Sequence, residues 1–160
     1  MKRFLLATPL LATTLLLGTS NCSKKEDATP AVASNTGSYK LDGQLVSCKA
    51  TGYEYLHTST QSHDSLQLEL STPGNANGMY DDLIVKFAKT AGSAASTYQV
   101  TAVGYSKGHG GPVLQPISFP KDQKYTITRT AGGGYSGTFS GTNPVTSSTI
   151  TEGIFTDVHP

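Results

Sequence analysis

Behind an apolar opening run, residues 4–18, the chain alternates apolar and polar positions in short stretches with the two-residue period of a β-strand. Residues 65–71 place Leu66, Leu68 and Leu70 on one face, and residues 82–88 do the same with Leu83, Val85 and Phe87. Residues 97–103 alternate again, and residues 124–129 turn Tyr125 and Ile127 to one side. An Asp42-Gly43 pair between the runs 38–41 and 44–50 is a hairpin signal, because glycine takes a positive φ at little steric cost. Residues 53–56 read as a short strand that continues the preceding run or follows it, and 57–64 as a polar loop. At the other end of the chain, residues 135–142 and 148–158 flank a turn at Asn143-Pro144 and form a closing hairpin, with Gly137 and Gly153 expected at bulges or close backbone approaches.

Between these runs the signals are weaker. Residues 89–96 are small and hold at most one helical turn, and 104–111 read as a glycine-rich loop. Pro112, Pro116 and Pro120 punctuate the next stretch, and a proline cannot donate to a ladder, so that stretch is expected at a sheet edge or crossing the surface. About eight turn-delimited strands with no helix longer than a turn predict an all-β fold: an antiparallel β-sandwich, with a small closed β-barrel as the alternative.

The opening run has a different logic. Lys2 and Arg3, then apolar residues interrupted by Pro9, Thr13 and Thr14, then small polar residues, make a secretory signal. The run is short of the ~20 apolar residues that cross a bilayer. Cys22 follows, and then the charged segment Ser23-Lys24-Lys25-Glu26-Asp27. A cysteine directly behind such a signal resembles the lipoprotein signal of bacteria, and the charged segment is similar to that of Bacteroidota-type surface lipoproteins. The resemblance implies that residues 1–21 are removed and that Cys22 becomes the acylated first residue, holding the chain at the outer membrane with its domain toward the cell surface. The family places Leu or Val, then Ala or Ser, then Gly or Ala before the cysteine; here Thr19, Ser20 and Asn21 stand there. The alternative is an ordinary signal cut after Ser20 and a secreted product. Residues 23–37 show no alternation and read as a flexible tether, leaving 38–160 as a single domain. The Gly-Thr-Phe-Ser-Gly stretch at 137–141, followed by Ile150-Thr151 and Gly153-Ile154-Phe155, looks like the closing hairpin of small β-sheet lipoproteins of unknown function from the same bacteria.

Composition narrows the classes of function. Without Lys2 and Arg3 the formal charge falls from +1 to −1, so no basic surface calls for nucleic acid. Eight tyrosines outnumber five phenylalanines, and tryptophan is absent. Only two cysteines are present. If Cys22 carries lipid, Cys48 is an unpaired thiol, read as a small strand hydrophobe; if it does not, a Cys22–Cys48 disulfide is open to the chain.

Candidate chemistry is sparse. His63-Asp64-Ser65 holds the residue types of a hydrolytic triad, but triads assemble from separate elements, and a solvated loop explains the same residues. His57, His63 and His109, with Asp64, are the set from which a hydrolase or metal enzyme would be built. Asn75, Asn77, Asp81 and Asp82 offer oxygens to calcium but lack an EF-hand pattern. Asp64-Ser65-Leu66 also resembles an O-glycosylation acceptor of this bacterial group. Tyr53, Tyr55, Tyr80, Tyr105 and Tyr135 lie near turns, where an aromatic face with a polar tip suits sugar or protein contact. The reading is therefore a lipid-anchored, non-enzymatic binding or structural module without cofactor or metal, Tyr53, Tyr55, Tyr80 and Tyr105 being its contact candidates. The alternatives are the histidine-based enzyme and an apolar-ligand barrel with a large internal cavity.

Overall fold

In the computed structural model, residues 33–58, 62–74, 78–109 and 117–160 are described. Nine strands follow one another: β1 Thr36–Leu41, β2 Gln44–Tyr55, β3 His63–Ser71, β4 Met79–Thr90, β5 Gln99–His109, β6 Ile117–Ser118, β7 Lys121–Arg129, β8 Tyr135–Thr142 and β9 Thr149–Val158. A single 3-10 turn, Ala95–Thr97, lies between β4 and β5. All pairings are antiparallel and all nine strands belong to one sheet, ordered β6-β5-β4-β3-β2-β1-β9-β8-β7.

The all-β expectation is thus met, but the strands do not divide into the two facing sheets of a sandwich. One sheet curls into a half-barrel. The reason lies in the chain order: the edge strands β6 and β7 are consecutive, separated only by Phe119 and Pro120, so the two ends of the sheet must meet at that corner. Phe119 is fully buried there, its N–H donating to the Val103 carbonyl at 2.9 Å while Asn143 Nδ2 donates to the Ser118 carbonyl at 2.8 Å. No ladder joins β7 to β5 among the described residues; a side chain does, through the Tyr125 hydroxyl on Gln99 Oε1, and the Tyr125 ring also lies 6.1 Å from that of Phe87 on β4. The short β6 confirms the expected edge; residues 112–116 lie outside the described residues.

The alternation does what its period requires. Leu66, Leu68, Leu70, Leu83, Val85 and Phe87 all point into the curl and are buried. A run of rings fills the interior lengthwise, from Tyr39 through Phe139, Phe155 and Phe87 to Tyr98 and Tyr135, each centroid 6.0 to 6.5 Å from the next. The opening hairpin forms as expected, with Asp42 at φ 49° and Gly43 at φ 82°. Gly137 and Gly153 mark close approaches: a Cβ on Gly137 would lie 2.0 Å from the Thr126 carbonyl oxygen, and one on Gly153 would lie 2.5 Å from the Phe139 ring. The expected loop at 104–111 is a correction. Residues through His109 continue β5, where Gly108 pairs with Tyr80 and leaves room for the Tyr80 ring across its backbone.

Candidate functional site

One end of the curl is polar. There the inward positions of the strands, apolar along most of their length, become ionisable: Glu54 ends the inward series of β2, Asp64 begins that of β3, Lys89 ends that of β4 and Arg129 lies at the end of β7. Asp64 is 2% exposed and accepts from four donors. Its Oδ1 takes the His57 backbone N–H at 2.8 Å and His57 Nδ1 at 2.9 Å; its Oδ2 takes the Lys89 ammonium and, at 3.3 Å, the Gly92 N–H. Those donors, Lys89 first, hold its carboxyl well below the usual carboxylate range. An ionised Asp64 also fixes the His57 tautomer, with the proton on Nδ1 and the lone pair on Nε2.

Glu54 is the second hub. Its Oε1 accepts from Tyr135 at 2.5 Å and Tyr98 at 3.3 Å, and its Oε2 lies 3.9 Å from Arg129 Nη2. The Tyr135 hydroxyl is pushed up to about 12, by burial first and then by Glu54. Lys89 sits 5.2 Å over the Tyr98 ring and Arg129 5.5 Å over the Tyr135 ring. A hollow of about 270 Å³ opens between Glu54, His57, Lys89, Ser93 and Arg129.

The sequence-level histidine set is only partly assembled. His57 and Asp64 meet, whereas His63 points to the outer face of the sheet, opposite to Asp64. His109 pairs with Met79 and His63 with Thr90, at the two ends of β4, so eleven residues of strand, roughly 35 Å, separate their backbones. The three histidines therefore do not converge. Asp64 is also not in a solvated loop: it belongs to β3 and is buried. No cluster of three metal-ligating side chains occurs among the described residues.

The four tyrosines part company too. Tyr53 and Tyr55 stand on the outer face of β2, 40% and 55% exposed. Tyr80 lies near the opposite end of the sheet, its ring across Gly108. Tyr105 is a correction: it is 5% exposed, faces the core and donates to Asp81 Oδ1 at 2.5 Å, so it offers no surface for contact. Around Tyr55 the outer face dips. Tyr55 pairs with Ser65, Ser65 with Ala88, and short side chains make a floor beside a tall one. The depression, about 500 Å³, is lined by Tyr55, His63, Ser65, Gln67, Lys86 and Thr101. Ser65 of the acceptor-like triplet is thus on its floor.

At the far end, Asp81 takes Tyr105 and Asp82 Oδ1 takes Ser71 at 2.8 Å; Asn75 and Asn77 lie outside the described residues. The Tyr39 hydroxyl is buried there without a hydrogen-bond partner among the described residues. Cys48 faces inward from β2, forms no disulfide among the described residues, and has its thiol pushed up to about 11 by burial. Cys22 lies outside the described residues, as does the tether up to residue 32.

Sequence reasoning missed Glu54, Lys89, Arg129 and Tyr98, and it placed Tyr135 among the surface tyrosines, whereas Tyr135 is fully buried and donates to Glu54. One signal could have found most of them: a charge standing at the inward parity of an alternating run has to be paired. Comparison of the chain with known protein families, with curated proteins and with solved structures found no match.

Proposed function

We propose that this chain is a lipid-anchored protein of a bacterial envelope and a non-enzymatic binding module. Residues 1–21 direct export, Cys22 carries the acyl chains at the outer membrane, and the segment between Cys22 and β1, which begins at Thr36 rather than after residue 37, holds the domain clear of the lipid at the cell surface. Its partner is a molecule met outside the cell; nucleic acid is not one, and neither metal nor cofactor takes part.

The observation that carries the binding reading is a contrast between two places. At the polar end the charged groups are spent on one another, Asp64 on four donors and Glu54 on two tyrosines, so the protein's own folding uses them. On the outer face, Tyr53 and Tyr55 are held to solvent beside a depression lined by polar side chains together with Leu66, Phe87 and Ala88. The ring-filled interior speaks against an apolar-ligand barrel, which needs an internal cavity. Attachment accords with Cys48 facing into the curl from β2, where it forms no disulfide with any described residue. Each buried CH₂ of an acyl chain contributes ~0.8 kcal/mol, so more than one chain gives a durable anchor without a membrane span.

The hydrolase reading keeps one supporting observation, the His57–Asp64 contact, which leaves Nε2 as a base at a hollow that Ser93 also lines. Two experiments decide. Cys22→Ser is expected to move the protein from the membrane fraction to the soluble one, while protease added to intact cells should degrade the wild-type domain; a membrane-bound Cys22→Ser protein contradicts the anchor. Ester and peptide turnover that disappears in His57→Ala would replace the binding module by the enzyme.

A further inference from the structure

We propose that the depression on the outer face, walled by Tyr55 and floored by Ser65 and Ala88, is a binding site for an acidic saccharide, a sugar ring that carries a carboxylate. The inference rests on the reading of the domain as a binding module and names its ligand class.

The shape comes from the register. Tyr55, Ser65, Ala88 and Gln99 stand in one row across β2, β3, β4 and β5, and the next row holds Tyr53, Gln67 and Lys86. A tall aromatic, two short residues and a flanking row of long polar ones enclose a space of about 500 Å³, the size of a small-molecule site. Tyr55 is 55% exposed, so its ring offers a flat apolar wall with a hydroxyl at its tip, a surface suited to the C–H face of a pyranose. Ser65, Thr101, His63 and Gln67 supply hydroxyl, imidazole and amide groups to the ring's own hydroxyls. Gln67 donates to Glu69 Oε1 at 2.9 Å, which turns its amide nitrogen away and leaves its carbonyl oxygen to accept from a ligand.

Charge then selects among sugars. No aspartate or glutamate lines the depression, and the Lys86 ammonium makes no ion pair with a carboxylate among the described residues. The polar end of the curl is the opposite case, since Lys89 there is neutralised by Asp64. A cation left uncompensated at the rim favours an anionic ligand. A peptide is the poorer fit, because extended peptides dock by pairing with a free strand edge. Here the floor is β3 and β4, each laddered on both sides, so recognition falls to side chains. Tyr53, two residues from Tyr55 on the same face and 40% exposed, extends the aromatic surface by roughly 7 Å, room for a neighbouring sugar.

Calorimetry on the detergent-solubilised full chain tests this with three probes: oligogalacturonate, its methyl ester and poly-glutamate. The expected result is that oligogalacturonate binds at least about tenfold more tightly than either of the others, that Tyr55→Ala abolishes binding, and that Lys86→Met removes the preference for the free acid over the ester. Unchanged thermal unfolding of both variants shows that they fold. Equal binding of the ester, tighter binding of poly-glutamate, or insensitivity to Tyr55→Ala overturns the acidic saccharide while leaving the anchored module standing. Absence of binding by all three probes overturns it as well. The anchor fails separately, through the partition of Cys22→Ser, which should bind oligogalacturonate as the wild type does.

Discussion

Asp64 ties three segments together: the strand that carries it, the chain leaving β2 at His57, and the end of β4 with the turn behind it at Lys89 and Gly92. Its folded carboxyl titrates below the range it has in the unfolded chain. The stabilisation this brings is therefore complete above the ordinary aspartate value, about pH 4, and is lost as pH falls through the depressed value. Denaturant titrations at descending pH should show the wild type more stable than Asp64→Asn at neutrality and the two curves converging in acid; parallel curves would remove Asp64 from this role. Cys48 supplies a second residue-scale test. With its thiol raised from 9.0 to about 11, its thiolate at pH 8 is about a hundredfold scarcer than in the unfolded chain. With Cys22 acylated as proposed, a disulfide reagent should therefore find one slow thiol in the native protein, released to fast reaction by denaturant. A fast native thiol would have to come from an unmodified Cys22.

Among the elements, the β7–β8 pair is closely fitted backbone to backbone at Gly137. A methyl at Gly137 would lie 2.0 Å from the Thr126 carbonyl oxygen and 2.6 Å from Phe155, so Gly137→Ala must displace backbone and should cost about 1–3 kcal/mol in a two-state unfolding measurement. Gly104→Ala meets nothing within 4 Å and is the neutral control. Much at this scale was legible. Strict alternation gave β3 and β4, Asp42-Gly43 gave the first hairpin, and the closing hairpin, with its two crowded glycines, was readable in residues 135–158. The second half of β5 was not, because Gly104 and Gly108 argue locally for a loop. What overrides them is tertiary, the Tyr80 ring needing the space that a side chain on Gly108 would fill. The polar end was hidden for a related reason. His57 and Asp64 were singled out, but Lys89 is 25 residues from Asp64 and Tyr135 is 81 from Glu54, so no local window holds the partners together.

At the scale of the whole molecule, connectivity decides what local pattern leaves open. Strand patterning fits a sandwich and a barrel equally well; Phe119 and Pro120, which join the two edge strands directly, bend a single sheet around one ring-filled core. The result keeps its chemistry-bearing groups in two places: charges that pair at one end, and an aromatic, uncompensated surface outside. A domain of this kind is useful at an envelope only if it is held there, and the proposed role depends on the sulfur of Cys22. Intact-mass spectrometry of the mature protein from the membrane fraction tests that most directly. The account predicts a chain beginning at Cys22 with a mass increased by a diacylglyceryl group. A chain beginning at Asn21 with unmodified Cys22, or one in which Cys22 is bridged to Cys48, would contradict it.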